Sequence, residues 1–244
     1  MRAPAAYDEF AWLYDREWAA QFHREARPAL ERALFKRLRP GAWVLDLCCG
    51  AGHLAAELLA RGCRVVGLDC SEQMLRYARK RAPGADLVLA DARAFGFAAQ
   101  FDAVVSTFDS LNHILEPAEL KAVFENVYQV LRPGGWFVFD LNMEACFRSV
   151  WRGTSASVRS DRVWVLQGSY DSKRRLARAR LTLFRWENAW RRYDIEILER
   201  CYPAEQVLLA LSQAGFRELE CCRAEQLGMS ADSGAGRSFF MAVR

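Results

Sequence analysis

Short, almost unbroken apolar runs alternate with helix-period segments over residues 43–139, and this alternation constrains the fold more than any other feature of the chain. The runs are Trp43-Val44-Leu45, Arg64-Val65-Val66-Gly67-Leu68, Leu87-Val88-Leu89, Ala103-Val104-Val105 and Trp136-Phe137-Val138-Phe139. Strands buried on both faces carry such continuous apolar character, whereas half-exposed strands alternate. Between them lie helix-period segments at His53 to Ala60, Ser71 to Arg81 and Pro117 to Leu131. The alternation predicts an α/β fold, a doubly wound and mostly parallel sheet with helices on both faces. Local chemistry in Ser71 to Arg81 agrees: Ser71 can cap the first turn, Glu72 sits near the positive end of the helix dipole, and Arg76, Arg79, Lys80 and Arg81 gather toward the negative end.

Past Phe139 the pattern changes. Arg162 to Tyr170, Leu176 to Trp186 and Tyr193 to Tyr202 read as β runs with hairpin-length connections, which predicts an antiparallel β insertion over 150–202. Pro203 opens another helix, Ala214-Gly215 ends it, and runs at Phe216 to Cys222 and Ser238 to Val243 complete the core sheet over 203–244. Ahead of the expected ligand-binding core at 41–145, residues 1–40 are helical in period and carry Tyr7, Phe10, Trp12, Tyr14, Trp18 and Phe22. This arm either docks as a covering helix or closes over the site as a lid. With 244 residues, one domain with an insertion is expected.

Composition narrows the class further. Hydrophobic residues make up 52% and charged residues 26%, which is enough apolar material for a packed core. The net charge of +4 is too mild to indicate nucleic acid or a membrane surface. It is unevenly spread: Arg148 to Arg192 holds 12 basic and 3 acidic residues, a net of +9, against −5 elsewhere. No apolar run approaches the ~18 residues of a membrane span. Asp8, Glu9, Asp15 and Glu17 do not suit a secretory signal. The eight cysteines show no zinc-type spacing, so no metal is expected; reduced thiols and a cytoplasmic location are.

The chemistry concentrates in Val44-Leu45-Asp46-Leu47-Cys48-Cys49-Gly50-Ala51-Gly52-His53-Leu54, which runs from strand through a glycine turn into a helix. Such a turn aims backbone N–H groups and the positive helix end at a ligand. Gly50-Ala51-Gly52-His53-Leu54-Ala55 also satisfies the dinucleotide fingerprint, with Asp69 17 residues past Gly52. A nicotinamide-dependent oxidoreductase is therefore one reading. Against it, Asp46 at the end of the first strand would repel a pyrophosphate, while a ligand with a positive group would welcome it. Asp91, after the third strand, adds a carboxylate able to accept from an exocyclic amine. Asp46, Asp69 and Asp91 would then line the carboxyl edge of the sheet, where open α/β folds bind ligands.

These segments resemble the class I S-adenosylmethionine-dependent methyltransferases. The resemblance rests on Asp46-Leu47-Cys48-Cys49-Gly50-Ala51-Gly52, Gly67-Leu68-Asp69-Cys70-Ser71-Glu72-Gln73-Met74-Leu75, Leu89-Ala90-Asp91-Ala92 and Leu131-Arg132-Pro133-Gly134-Gly135-Trp136, in that family's order. It implies a seven-stranded Rossmann-like sheet, S-adenosyl-L-methionine as cofactor and S-adenosyl-L-homocysteine as product. By the family pattern, Gly50 and Gly52 approach the methionyl moiety, Asp69 holds the ribose, Met74 packs on the adenine, Asp91 with Ala92 meet its N6 edge, and Cys70 is a further cofactor contact. The family usually has glycine where Cys48 stands. The helical arm, the insertion and the Ala214-Gly215-Phe216 entry resemble the small-molecule branch, which includes amine N-methyltransferases.

On the acceptor side, Ser106-Thr107-Phe108-Asp109-Ser110-Leu111-Asn112-His113 follows the fourth strand, where the family faces the transferred methyl. His113 is the base candidate, with a structural histidine as the alternative; Phe108 and Asn112 are candidate acceptor contacts, and Ser106 a cofactor contact. The segment lacks the Asn/Asp-Pro-Pro-Tyr/Phe pattern of base-amine methylases, which argues against nucleic acid as acceptor. In the arm, Tyr7 is a candidate acceptor contact, and Tyr14 and Arg16 are candidates to close over the cofactor. Arg178 and Arg180 share a strand face and either meet an anionic acceptor or form a solvated outer face. The expected partner is a small-molecule substrate, with no membrane, and the expected assembly a monomer or homodimer. A binding module without catalysis is the remaining alternative.

Overall fold

Parallel pairing places the first apolar run in the middle of the molecule. In the computed structural model, β1 (Trp43–Leu47) pairs in parallel with β2 (Arg64–Asp69) on one side and β4 (Phe101–Ser106) on the other. β3 (Asp86–Leu89) extends the sheet beyond β2, and β5 (Leu131–Asn142) continues it beyond β4. β11 (Arg237–Val243) runs antiparallel to β5, and β10 (Arg217–Arg223) closes the edge. The seven strands lie in the order β10-β11-β5-β4-β1-β2-β3. The structure describes residues 3–98 and 100–244, without the side chains of 3–7 and 233, so the Tyr7 side chain lies outside the described residues.

Helices α3 (His53–Ala60), α4 (Glu72–Arg81), α5 (Pro117–Val130), α6 (Glu144–Ser149), α7 (Ala204–Gln213) and α8 (Ala231–Gly234) follow the arm helices α1 (Ala3–Glu17) and α2 (Ala19–Ala33), numbered from the N-terminus. In α4 the Ser71 hydroxyl accepts from the Met74 amide at 3.1 Å, the cap its sequence calls for. One face of the sheet buries Leu45, Val104, Phe137 and Phe139 under α5 and α7; the other buries Val44, Val65, Val105 and Phe239 under α2 and α3. No helix of the described residues is long and apolar enough to cross a membrane.

Residues 153–200 form a second, antiparallel sheet of β6 (Gly153–Val158), β7 (Arg162–Asp171), β8 (Leu176–Trp186) and β9 (Trp190–Arg200). β6 is an addition to the sequence reading: Gly-Thr-Ser-Ala-Ser-Val offers no apolar run, and the strand is an exposed edge. The inner face of this sheet, Trp164, Leu181, Leu183 and Ile195, packs with Leu13, Phe10, Trp12 and Trp18 of the arm. An ion pair between Arg162 and Glu17 at 2.5 Å ties the two together. The arm therefore bridges α4 beside the core sheet and the inserted sheet, and a cleft lies between them.

Candidate active site

The order reversal beside β1, where the chain leaves for β2 on one side and β4 on the other, opens a crevice at the carboxyl ends of the strands. That crevice is part of a cleft of about 720 Å³, walled by the core sheet, the arm and the insertion. Cys48, Gly50, Asp69, Cys70, Met74, Asp91 and Ala92 line one end of it. Tyr14, Phe108 and His113 line it further along, toward the insertion's Leu166, Ala179 and Ile197.

The glycine turn is held by Asp69. One carboxylate oxygen accepts from the Gly50 amide at 2.8 Å and the other from the Ser71 amide at 2.9 Å, so a single side chain fixes the turn after β1 to the start of α4. Burial pushes the Asp69 pKa up, and these amides partly offset that. Cys48 has φ of 60°, a left-handed conformation that glycine adopts without strain, which accounts for the family's usual glycine there. Asp91 lines the cleft but is not an unanswered charge: Arg93 grips both its oxygens, at 3.0 and 3.1 Å from Nε, and holds its pKa down.

At the other end, two successive non-glycine residues adopt positive φ, Phe108 at 61° and Asp109 at 49°. Such backbone costs roughly 1–3 kcal/mol per residue and persists only where neighbours impose it. Here the Asp140 carboxylate imposes it, accepting from the Phe108 amide at 2.8 Å and the Asp109 amide at 3.1 Å. Arg237, buried, bridges Asp140 and Asp109, with its Nη2 2.6 Å from Asp109. Phe22 stacks on Phe108 with centroids 3.9 Å apart, and the Arg237 guanidinium lies 4.8 Å from the Phe22 ring centre.

His113 comes to this cluster from the short helical turn after Asp109. Its Nδ1 is 3.1 Å from the Leu198 carbonyl, which can only accept, so Nδ1 carries the proton and Nε2 presents a lone pair. Nε2 stands 3.6 Å from Glu199. Burial lowers the His113 pKa, against the opposing pull of Asp109. Glu199 is buried, hydrogen-bonded with Asp109, and its pKa is raised well above the usual carboxylate range by burial first and Asp109 second. A hydrogen bond between two carboxyl groups needs a proton, so Glu199 and Asp109 share one and carry a single negative charge between them. An unprotonated imidazole beside such a pair can take a proton and have the resulting cation stabilised.

Several sequence candidates lie elsewhere. Arg178 and Arg180 project from the outer face of the inserted sheet, where both approach Glu196 at 3.4 and 3.6 Å, while the alternate residues Ala179 and Leu181 face inward. Arg16 is exposed and lies over the Trp12 ring, away from the cleft. Asn112 is fully buried and structural: its amide donates to the Asn142 and Arg200 carbonyls and accepts from the Asn142 amide. Ser106 is buried behind the cleft wall. Gly52 is not among the residues lining the cleft, and a Cβ there would meet Ala78 Cα at 2.8 Å, so glycine lets the turn pack closely on α4.

Asp46 also needs correcting. It faces a small void shared with Tyr14, His53 and Thr107, not the main cleft. Burial raises its pKa to about 8, so it is largely neutral at pH 7 and its charge discriminates nothing. Conversely, Asp109, Asp140, Asn142, Glu199 and Arg237 escaped the sequence reading. The available signal was Asp140 and Asn142, polar residues closing an apolar strand at its carboxyl end as Asp69 does.

Comparison with known proteins agrees with this geometry. Residues 44–135 match the family model described as a methyltransferase domain. A protein named as a methyltransferase, YqeM of Bacillus subtilis, is 28% identical over 98% of this chain and 97% of its own. The dTDP-3-amino-3,6-dideoxy-alpha-D-glucopyranose N,N-dimethyltransferase of Streptomyces fradiae is 36% identical over 54% of this chain and 52% of its own. A crystal structure of an S-adenosylmethionine-dependent methyltransferase from Clostridium acetobutylicum superposes with a TM-score of 0.80 at 22% identity, covering 97% of this chain and 98% of the other. The oxidoreductase reading draws no support from these comparisons. Position 50, whose φ of 51° favours glycine, and the apolar slot of Met74 and Ala92 beside the Asp69 carboxylate suit a nucleoside with a flexible charged tail. Residues 44–135 thus match the methyltransferase-domain family, and the chain as a whole has the fold of the S-adenosylmethionine-dependent methyltransferases.

Proposed function

We propose that this enzyme methylates the nitrogen of a small amine, using His113 to accept the proton that the amine must lose. The observation that carries the reading is the tautomer of His113, whose Nδ1 is committed to the Leu198 carbonyl while Nε2 faces the cleft beside Glu199. The Streptomyces fradiae relative, named for dimethylating an amino group, supports nitrogen over oxygen as the acceptor atom.

In this reading Cys48, Gly50, Asp69, Cys70, Met74, Asp91 and Ala92 hold the cofactor, and Tyr14 closes over it. S-adenosylmethionine supplies an electrophilic methyl group with its leaving group already attached. The protein's work is then alignment, worth up to roughly 7–11 kcal/mol, and control of one proton. A bound ammonium gives its proton to His113 Nε2, and the single charge on Asp109 and Glu199 steadies the imidazolium. With that proton on His113, the amine would hold a free lone pair facing the methyl group that a bound cofactor would supply, and the cleft walls would keep the two in line. Leu166, Ala179 and Ile197 of the insertion would seat the apolar part of the acceptor.

The Arg-rich outer face of the insertion is answered by its own acids, Arg192 by Asp194 at 2.9 Å and Arg178 by Glu196 at 3.4 Å. That favours a small molecule over nucleic acid. Methyl-labelled S-adenosylmethionine, incubated with the enzyme and fractionated small metabolites, should place label on nitrogen, read by mass spectrometry of the product. Label found on oxygen or carbon alone would overturn the amine reading.

A further inference from the structure

Asn142 and Arg237 face one another where β5 ends and β11 begins, as direct partners in the antiparallel register. Side chains paired in this way leave the same face of the sheet and stand a few ångströms apart. Both line the cleft, and both are more than nine-tenths buried, at 3% and 7% exposure. Each nevertheless has one atom without a hydrogen-bond partner among the described residues. The Asn142 amide nitrogen donates to Glu199 at 3.2 Å, while its Oδ1 accepts nothing. The Arg237 Nη atoms are taken by Asp109 and Asp140, while its Nε–H has no acceptor.

A buried acceptor beside a buried donor, both unmet by the protein, is costly unless a ligand hydroxyl or the water it displaces satisfies them, since each such group carries a desolvation penalty. The chemistry of the missing partner follows from the pair. A carboxylate or phosphate would suit Arg237 but turn lone pairs toward Asn142 Oδ1 and the neighbouring Asp109. An ammonium would suit Asn142 but meet the guanidinium with like charge. A hydroxyl does both, donating to Oδ1 and accepting from Nε.

We propose that Asn142 Oδ1 and Arg237 Nε form a hydroxyl-recognition subsite, so that the acceptor is an amino alcohol. The inference rests on the amine reading and extends it to a second group of the same molecule. Continuity of contacts supports placing both groups in one small acceptor. Glu199 touches Asn142 and stands 3.6 Å from His113 Nε2, and Asp109 joins Arg237 to the same acid pair. The hydroxyl and the reacting nitrogen therefore lie within a few bonds of one another.

The test uses the native enzyme, labelled S-adenosylmethionine and matched acceptors: cis- and trans-2-aminocyclohexanol, cyclohexylamine and cyclohexanol. At least one amino alcohol should be N-methylated with kcat/KM about tenfold or more above cyclohexylamine, because a site built to bond a hydroxyl discriminates against its absence. Asn142→Leu should reduce that ratio to near one, whatever it does to the turnover of both substrates together; if the variant does not fold, the ratio on the native enzyme decides alone. Equal turnover of the amine and the amino alcohols would overturn the subsite and leave the amine reading standing. O-methylation of cyclohexanol without N-methylation would overturn the amine reading itself. No transfer to either amino alcohol would overturn the subsite.

Discussion

The Tyr14 ring lies against the backbone of Gly50, so closely that a Cβ at position 50 would sit 3.6 Å from Tyr14 Cε1. Residues from the arm and from the first glycine turn thus form one wall of the cleft. Tyr14→Ala should weaken S-adenosylmethionine binding by about tenfold, or ~1.4 kcal/mol, in calorimetry, through loss of that wall. Tyr14→Phe keeps the ring and should stay within about twofold of wild type. An unchanged Kd in the alanine variant would detach the arm from cofactor binding.

Asp69 carries two tasks, and substitution should separate them from bulk stability. Its oxygens hold the Gly50 and Ser71 amides while its carboxylate lines the cleft. Asp69→Ala should weaken cofactor binding by roughly a hundredfold or more, since charge-assisted hydrogen bonds are each worth about 1.5–3 kcal/mol. Wild-type affinity in that variant would defeat the assignment.

For His113 the pH dependence carries the test. Burial lowers its pKa, so the imidazole stays neutral to a lower pH than a solvated histidine. The acid limb of kcat/KM should then fall below about pH 6.5, the ordinary histidine value. His113→Asn should erase that limb and reduce kcat by about 100-fold to 10,000-fold. A variant with the wild-type profile would leave His113 as a structural residue.

How much of this was legible in the sequence depends on how far apart the partners lie. The strands, the glycine turn and the Ser71 cap are local, and period and turn chemistry reveal them. Asp69 was legible because it closes a strand at the edge where ligands bind. Arg237 was not, because its partners Asp109 and Asp140 stand 128 and 97 residues away and no local pattern announces a buried cation. Side-chain alternation correctly put Arg178 and Arg180 on one face of β8, but only packing against Leu13 and Trp18 decides which face looks inward. Asp46 shows the converse limit: a strand-end acid reads as a charge until burial neutralises it.

The outward position of Arg178 and Arg180 has a kinetic consequence. With the two side chains 48% and 65% exposed and paired to Glu196, removing them takes nothing from the cleft. Exposed ion pairs contribute about 0–1 kcal/mol. The Arg178→Ala, Arg180→Ala double variant should therefore keep KM for the acceptor and kcat within about twofold of wild type. A large rise in acceptor KM would return these arginines to the substrate site.

Asp46 supplies a stability test with a definite sign. Its folded pKa, about 8, lies above the ordinary carboxyl value of 3.8, and burial is the largest cause, followed by the charge of Asp69. Below the unfolded value both states hold the proton and Asp46 contributes no pH dependence. Between the two values the folded state binds more protons than the unfolded state, so stability falls as pH rises, and above the folded value the loss levels off. Asp46→Asn keeps the neutral shape and removes the titration. It should match wild type near pH 4 and melt progressively higher as pH rises, by several degrees at pH 8, given about 2–4 °C per kcal/mol for a chain of this size. The Ala55 amide that Asp46 accepts from can be accepted by the asparagine oxygen too, so the comparison isolates the charge. Parallel melting curves for the two proteins from pH 4 to 8 would show that Asp46 is ionised in the folded state.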